Sequence, residues 1–240
     1  MTRLLPFLLF LLAACEAVPP VTSRSQEPLA ETGDPLRLRA IRAERNFIRV
    51  VETVEPVAER ECRRLAPRLN CDFQIVIDDR AGQPPNAFQT VDRLGRPIIA
   101  FNLALIASAR NIDELAFVMG HESAHHVLDH LAQTQQNAAV GAVIFSGLAA
   151  LTGADPEAIR SAEELGAAVG ARSYSKDFEL EADRLGTVIA ARAGYDPIRG
   201  AAFFTRIPDP GNSFLGSHPP NAARLAVVRE TVQAIGAPSG

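Results

Sequence analysis

The chain has 240 residues, a formal net charge of −4 at pH 7, 22% charged and 47% hydrophobic residues, and no Trp. That length and apolar content suit a folded domain of ordinary size. The mild acidity, with no cluster of Lys and Arg interleaved with aromatics, removes nucleic acid from the expected partners.

Residues 1–14 read as a targeting segment, with Arg3 as a positive start and Leu4–Leu12 as an apolar stretch too short for an ordinary membrane span. Leu12-Ala13-Ala14-Cys15 resembles the lipobox of bacterial lipoproteins. That resemblance implies cleavage before Cys15, a lipid on Cys15 and attachment to a membrane from the periplasmic side. Glu16 stands where many inner-membrane lipoproteins carry Asp, which leans the expectation towards the outer membrane. An ordinary signal peptide with an incidental Cys is the alternative. Residues 15–35 then form a lipidated Cys and a flexible tether rich in Pro, Ser, Thr and Glu. Residues 36–240 form the domain. With Cys15 lipidated, Cys62 and Cys71 are left as an even pair in an oxidising compartment, a disulfide across a short turn or else two buried thiols.

Leu36–Leu65 has the pattern of one or two amphipathic helices, with Pro56 able to mark a break. Phe73–Asp78 alternates like a strand, and Asn86-Ala87-Phe88 and Arg96–Phe101 suggest two more, joined near Gly95. Ile112–Leu131 is free of Pro and opens with Asn111 as a cap and Glu114 in the capping-box position, so a helix is expected throughout.

Within that helix stands His121-Glu122-Ser123-Ala124-His125. Four residues bring two side chains back to one helix face, so His121 and His125 can grip one metal ion. Glu122 lies beside them as a base for water, the arrangement of a zinc hydrolase. His126 and His130 repeat the same spacing about 100° further round and are expected at the surface or behind the ligands. Gly120, immediately before the first ligand, is expected to serve close packing.

A third ligand is still required. The extended pattern with a third His would need Gly at 128 and His at 131; both are Leu here. A carboxylate on a later helix remains. Ser175–Gly194 reads as such a helix, with Glu179 and Asp183 on one face and Glu181 about 200° away from Glu179.

Tyr174-Ser-Lys-Asp-Phe-Glu-Leu-Glu-Ala-Asp183 resembles the S-R-x-x-E-x-x-A-D segment of gluzincins of the HtpX, BepA and CaaX-prenyl-protease type. Lys176 replaces the usual Arg. Ala193–Pro197 and Ser217–Arg224 also look like later segments of that family. The resemblance implies that Glu179 is the third zinc ligand and that Asp183 supports a ligand His. It implies that His218 either occupies the fourth zinc position as a latch or stabilises the transition state, with Arg224 orienting that loop or binding the oxyanion. It further implies that Asn86, Ala87 and Phe88 form an edge strand that receives substrate, although the family's P-G-G turn after it is missing.

Ala138–Ala154 is uncharged and apolar, read as a buried helix, a helical hairpin over the site or a surface touching the bilayer, with the first two preferred. It is followed by a helix over Pro156–Val169. The whole is expected to be an α+β fold, mostly helical, with a small sheet beside the H-E-x-x-H helix. The implied function is a zinc endopeptidase acting on misfolded or misassembled envelope polypeptides. A chaperone holding polypeptides in the same groove is the rival, against which the intact Glu122 argues.

Overall fold

The computed structural model describes residues 34–173, 175–206 and 219–236. Cys15 with the targeting segment, and His218, lie outside the described residues. Helix α1 (Pro35–Leu65) is continuous through Pro56, so neither a break nor a second start forms there. A single proline removes one hydrogen bond, while the stripe Phe47, Val50, Val54, Val57, Ala58 and Cys62 is buried on both sides of it and holds the helix in place. Cys62, in the last turn of the helix, and Cys71, beyond it, are joined as a disulfide with a Cα separation of 5.7 Å. Closing so short a loop contributes roughly 2–3 kcal/mol.

Strands β1 (Gln74–Asp78), β2 (Ala87–Val91) and β3 (Pro97–Asn102) form a sheet in the order β1-β3-β2. β1 runs parallel to β3 and β2 antiparallel to it, with Phe88 opposite Ala100. The central strand is the most buried, through Ile99, Ala100 and Phe101, and Phe101 meets Phe47 of α1 edge-on at 5.1 Å. β2 is therefore an edge strand. Its entry is pinned by Asn102, whose Oδ1 accepts from the Asn86 and Leu105 amides and whose Nδ2 donates to the Pro84 carbonyl. The same side chain caps α2 (Leu103–Ser108).

Helix α3 (Ile112–Val127) runs through the core, packed against α1, β2 and β3. Asn111 Oδ1 accepts from the Glu114 amide at 3.0 Å, the expected cap. The Glu114 carboxylate accepts from the Arg110 amide and, buried, takes a two-pronged pair of bonds from Arg206, each 2.6 Å.

The helix expected to reach Leu131 stops at Val127 instead. Asp129 adopts φ 56°, a left-handed conformation, and α4 (His130–Leu151) starts afresh. His126 and His130 thus belong to different helices and are not a pair on one face. Neither is at the surface. His126 meets the Asn70 carbonyl at 2.7 Å and the edge of Phe73, with a pKa held below its ordinary value by burial.

α4 forms a hairpin with α5 (Pro156–Arg172), whose N-terminus is capped by Asp155. Glycines let the two backbones touch: a Cβ on Gly141 would lie 2.1 Å from the Gly166 carbonyl oxygen. Of the readings of 138–154, burial is overturned, whereas a helical hairpin does form. In α4 only His130 is buried, while Val143, Ile144, Leu148 and Leu151 are exposed. Its glycines and Phe145 face the partner helix, and its other large apolar side chains point away. Among the described residues no helix is long and apolar enough to cross a membrane.

Helix α6 (Ser175–Arg192) lies across α3. The chain then turns at Gly194, and Pro197 opens the short α7 (Pro197–Ala201), followed by a 3-10 turn over residues 202–205. Helix α8 (Asn221–Ile235) packs on α6, and Val228 joins Phe117, Ala201 and Phe204 in a second small core. The fold is α+β, mostly helical, with the small sheet beside α3.

Candidate active site

Two glycines decide how near α6 comes to α3. A Cβ on Gly120 would sit 2.7 Å from the Gly186 carbonyl oxygen, and one on Gly186 would sit 2.8 Å from the His121 amide nitrogen. With neither present, the helices cross in backbone contact, and the first turns of α6 are carried over His121 and His125. Gly186→Ala is expected to lower stability by about 1–3 kcal/mol, because the clash is with rigid backbone. That cost exceeds the roughly 1 kcal/mol that Ala gains over Gly in a helix. A thermal melt equal to or above wild type would contradict this reading of the crossing.

At the crossing the structure brings His121, His125 and Glu179 together, with one possible ligand atom from each lying within 4.8 Å of the others. The two Nε2 atoms are 3.1 Å apart, and Glu179 oxygens lie 3.6 Å from His121 and 3.3 Å from His125. Tetrahedral coordination with bonds of about 2.0–2.1 Å would place donor atoms about 3.3 Å apart. The donor set, two imidazoles and a carboxylate, and its spacing both fit a zinc ion.

Asp183, one turn after Glu179, is fully buried and meets His121 Nδ1 at 3.0 Å. Arg224 of α8 donates from Nε and Nη2 to the two Asp183 oxygens, 2.7 Å each, and its Nη2 lies 3.4 Å from Glu179. Phe204 covers the guanidinium face at 3.7 Å. Burial opposes ionisation of Asp183, but the hydrogen bonds from Arg224 and His121 outweigh it and hold its carboxyl below the usual range. Burial likewise disfavours the charged form of His121, and Asp183 and Glu179 override it, so its pKa is raised. Arg224, set among the residues expected to orient a loop or bind an oxyanion, is thus buried beneath the ligands and pairs with Asp183.

His125 is backed differently. His130 Nδ1 lies 2.9 Å from His125 Nδ1, and His130 Nε2 lies 3.2 Å from Glu181. Phe178 stacks on the His130 ring at 4.5 Å. Burial first, and then the neighbouring His125, pull the His130 pKa down to about 4. Glu181 does not join the three clustered groups; it reaches the flank of the site through His130. Of the two histidines expected at the surface or behind the ligands, His130 lies behind His125, whereas helical spacing did not reveal Asn102 or Arg206. His130 carried a usable signal in its place five residues after His125, whereas the other two had none.

The cluster opens on a cavity of about 510 Å³, whose wall includes Glu122, Asn86, Ala87, Phe88, Phe203 and Arg224. Glu122 is half-buried on α3 and lines that space together with the ligand candidates. The start of β2, residues 87–89, also lines it.

A helix bearing H-E-x-x-H, crossed by a second helix supplying a carboxylate, with an edge strand alongside, defines a gluzincin-type metallopeptidase fold. Residues 45–232 match Peptidase family M48, and the chain belongs to that family of metallopeptidases. The putative beta-barrel assembly-enhancing protease of Vibrio cholerae serotype O1 is 36% identical over 120 residues, covering 46% of this chain and 24% of that protein. The beta-barrel assembly-enhancing protease of Escherichia coli (strain K12) is 28% identical over 153 residues, 55% of this chain and 30% of that protein. The mitochondrial metalloendopeptidase OMA1 of Bos taurus is 32% identical over 107 residues, 42% and 20% of the two chains. This chain spans less than a third of each of these relatives.

Proposed function

We propose that this protein is a zinc-dependent endopeptidase of the periplasm, acting on misfolded or misassembled envelope proteins. The observation that carries the reading is the convergence of His121, His125 and Glu179 beside Glu122 on the wall of a cavity. Those three residues would hold the ion and leave a position open to the cavity, as a catalytic site requires and a structural one does not. When bound, zinc supplies Lewis acidity, lowering the pKa of water towards about 7 and polarising a carbonyl.

The remaining work belongs to the chain. The exposed edge of β2 offers backbone N–H and C=O groups to an extended polypeptide, which would lie along the cavity as an added strand. Water attacks the scissile carbonyl carbon, and its proton passes to the Glu122 carboxylate. As the C–N bond breaks, Glu122 returns the proton to the leaving nitrogen. Asp183 and Arg224 fix the His121 ring and crowd Glu179 into place, so the ligand geometry is set before substrate arrives. In this reading His218, by family resemblance, serves as a latch on the fourth zinc position or as a transition-state stabiliser.

The envelope assignment draws on the beta-barrel assembly-enhancing relatives and on the lipobox-like Cys15. Casein cleavage by purified protein, abolished by a chelator and restored by zinc, tests the chemistry. Cleavage that persists after the metal has been stripped would end the zinc reading. Anchoring is tested separately: Cys15→Ser is expected to lose lipid labelling and move to the soluble periplasmic fraction, since stable anchoring takes more than one acyl chain. A variant that still pellets with membranes would transfer suspicion to the exposed apolar face of α4.

A further inference from the structure

The break between α3 and α4 has a consequence at the metal site. In an unbroken helix His130 would lie about 140° round from His125. The left-handed turn at Asp129 instead swings it back, so that the two Nδ1 atoms meet at 2.9 Å. A left-handed non-glycine residue costs about 1–2 kcal/mol. That cost is borne here to bury an imidazole, clamped by Phe178, against a ligand candidate.

The protons along this line can be placed by counting. An ionised Glu181 carboxylate only accepts, so His130 Nε2 carries the hydrogen that faces it. A neutral His130 has one N–H, which leaves its Nδ1 as an acceptor. His125 Nδ1 must then be the donor across the 2.9 Å contact. A neutral His125 with its hydrogen on Nδ1 presents a bare Nε2 lone pair to His121 and Glu179. The chain Glu181–His130–His125 thus leaves the ring in the tautomer that a metal needs.

We propose that His130, oriented by Glu181, is the positioning residue that fixes the tautomer and ring angle of His125 for metal binding. The proposal rests on the zinc reading above. On the other side of the site Asp183 does the same for His121 by direct contact. The two ligand imidazoles are therefore supported by different means, one by a buried carboxylate and one through an intervening ring. Partners of this kind strengthen the ligand as a donor and restrict its rotation.

The test measures zinc affinity by chelator competition and the imidazole tautomers by long-range 1H–15N spectra of the zinc-free protein. His130→Phe keeps an aromatic ring beside Phe178 but offers no acceptor, and is expected to weaken zinc binding about 10–100-fold. His130→Gln, which can still accept from His125 Nδ1, should recover a large part of that loss, whereas a purely packing role predicts that Phe is the better replacement. Glu181→Ala, at a half-exposed position, should fold normally and weaken zinc binding about tenfold, so the proposal stays testable should His130→Phe fail to fold. The wild-type spectrum should show the His125 hydrogen on Nδ1. Zinc affinity within twofold of wild type in Glu181→Ala and in a folded His130→Phe would overturn the proposal, as would a His125 hydrogen on Nε2. Failure of the parent reading looks different: the wild-type protein itself would bind no zinc.

Discussion

Glu122→Gln is expected to leave fold and zinc content intact and to reduce casein cleavage by about 10²–10⁴-fold, the range supplied by a positioned general base. The side chain lines the cavity from α3 and is not one of the three clustered groups, so an isosteric amide removes the proton acceptor and nothing else. Equal loss of zinc and activity would mean that Glu122 holds the site together. Unchanged cleavage would mean that another group takes the proton. A wild-type protein that binds unfolded polypeptides but never cuts them would favour the holding function that the same groove could serve.

Glu179→Ala is expected to abolish stoichiometric zinc binding, with the loss read by metal analysis after gel filtration. Two ligands on one helix turn are too few for a stable site. Glu181→Ala should retain zinc when the ion is supplied in excess, because Glu181 touches His130 and not the cluster. The pair of variants lies two residues apart on one helix and differs only in which face is cut. Zinc retained by the first and lost by the second would overturn the assignment of the α6 face.

These effects depend on features that differ in how far local sequence reveals them. The H-E-x-x-H helix, its Asn111 cap and the three strands were legible because each is written in a span of a few residues. Period could also place Glu179 and Asp183 on one face of α6. It could not say that this face would meet His121, because that depends on a crossing set by Gly120 and Gly186, 66 positions apart by their numbers. Gly120 hinted at close packing but not at its partner.

Two readings failed for identifiable reasons. The end of α3 carries neither Gly nor Pro, the usual breakers, and the chain turns on a left-handed Asp129 instead. Asp tolerates that conformation better than most residues, but nothing else at Leu128-Asp129 marks a break, and helical period alone places His126 and His130 on one face of one helix. The apolar run of α4 suggested burial, yet its Gly face is what packs on α5 and its Val, Ile and Leu side chains remain outside. Composition reports how much apolar surface a segment has, not which side its neighbour will cover.

X-ray absorption at the zinc edge of the purified protein tests the central claim most directly. The account predicts a shell of nitrogen and oxygen alone at about 2.0–2.2 Å, with the multiple-scattering signature of two imidazoles that falls away in Glu179→Ala as the metal is lost. A sulfur shell at about 2.3 Å, or zinc whose surroundings are the same in wild type and Glu179→Ala, would contradict it.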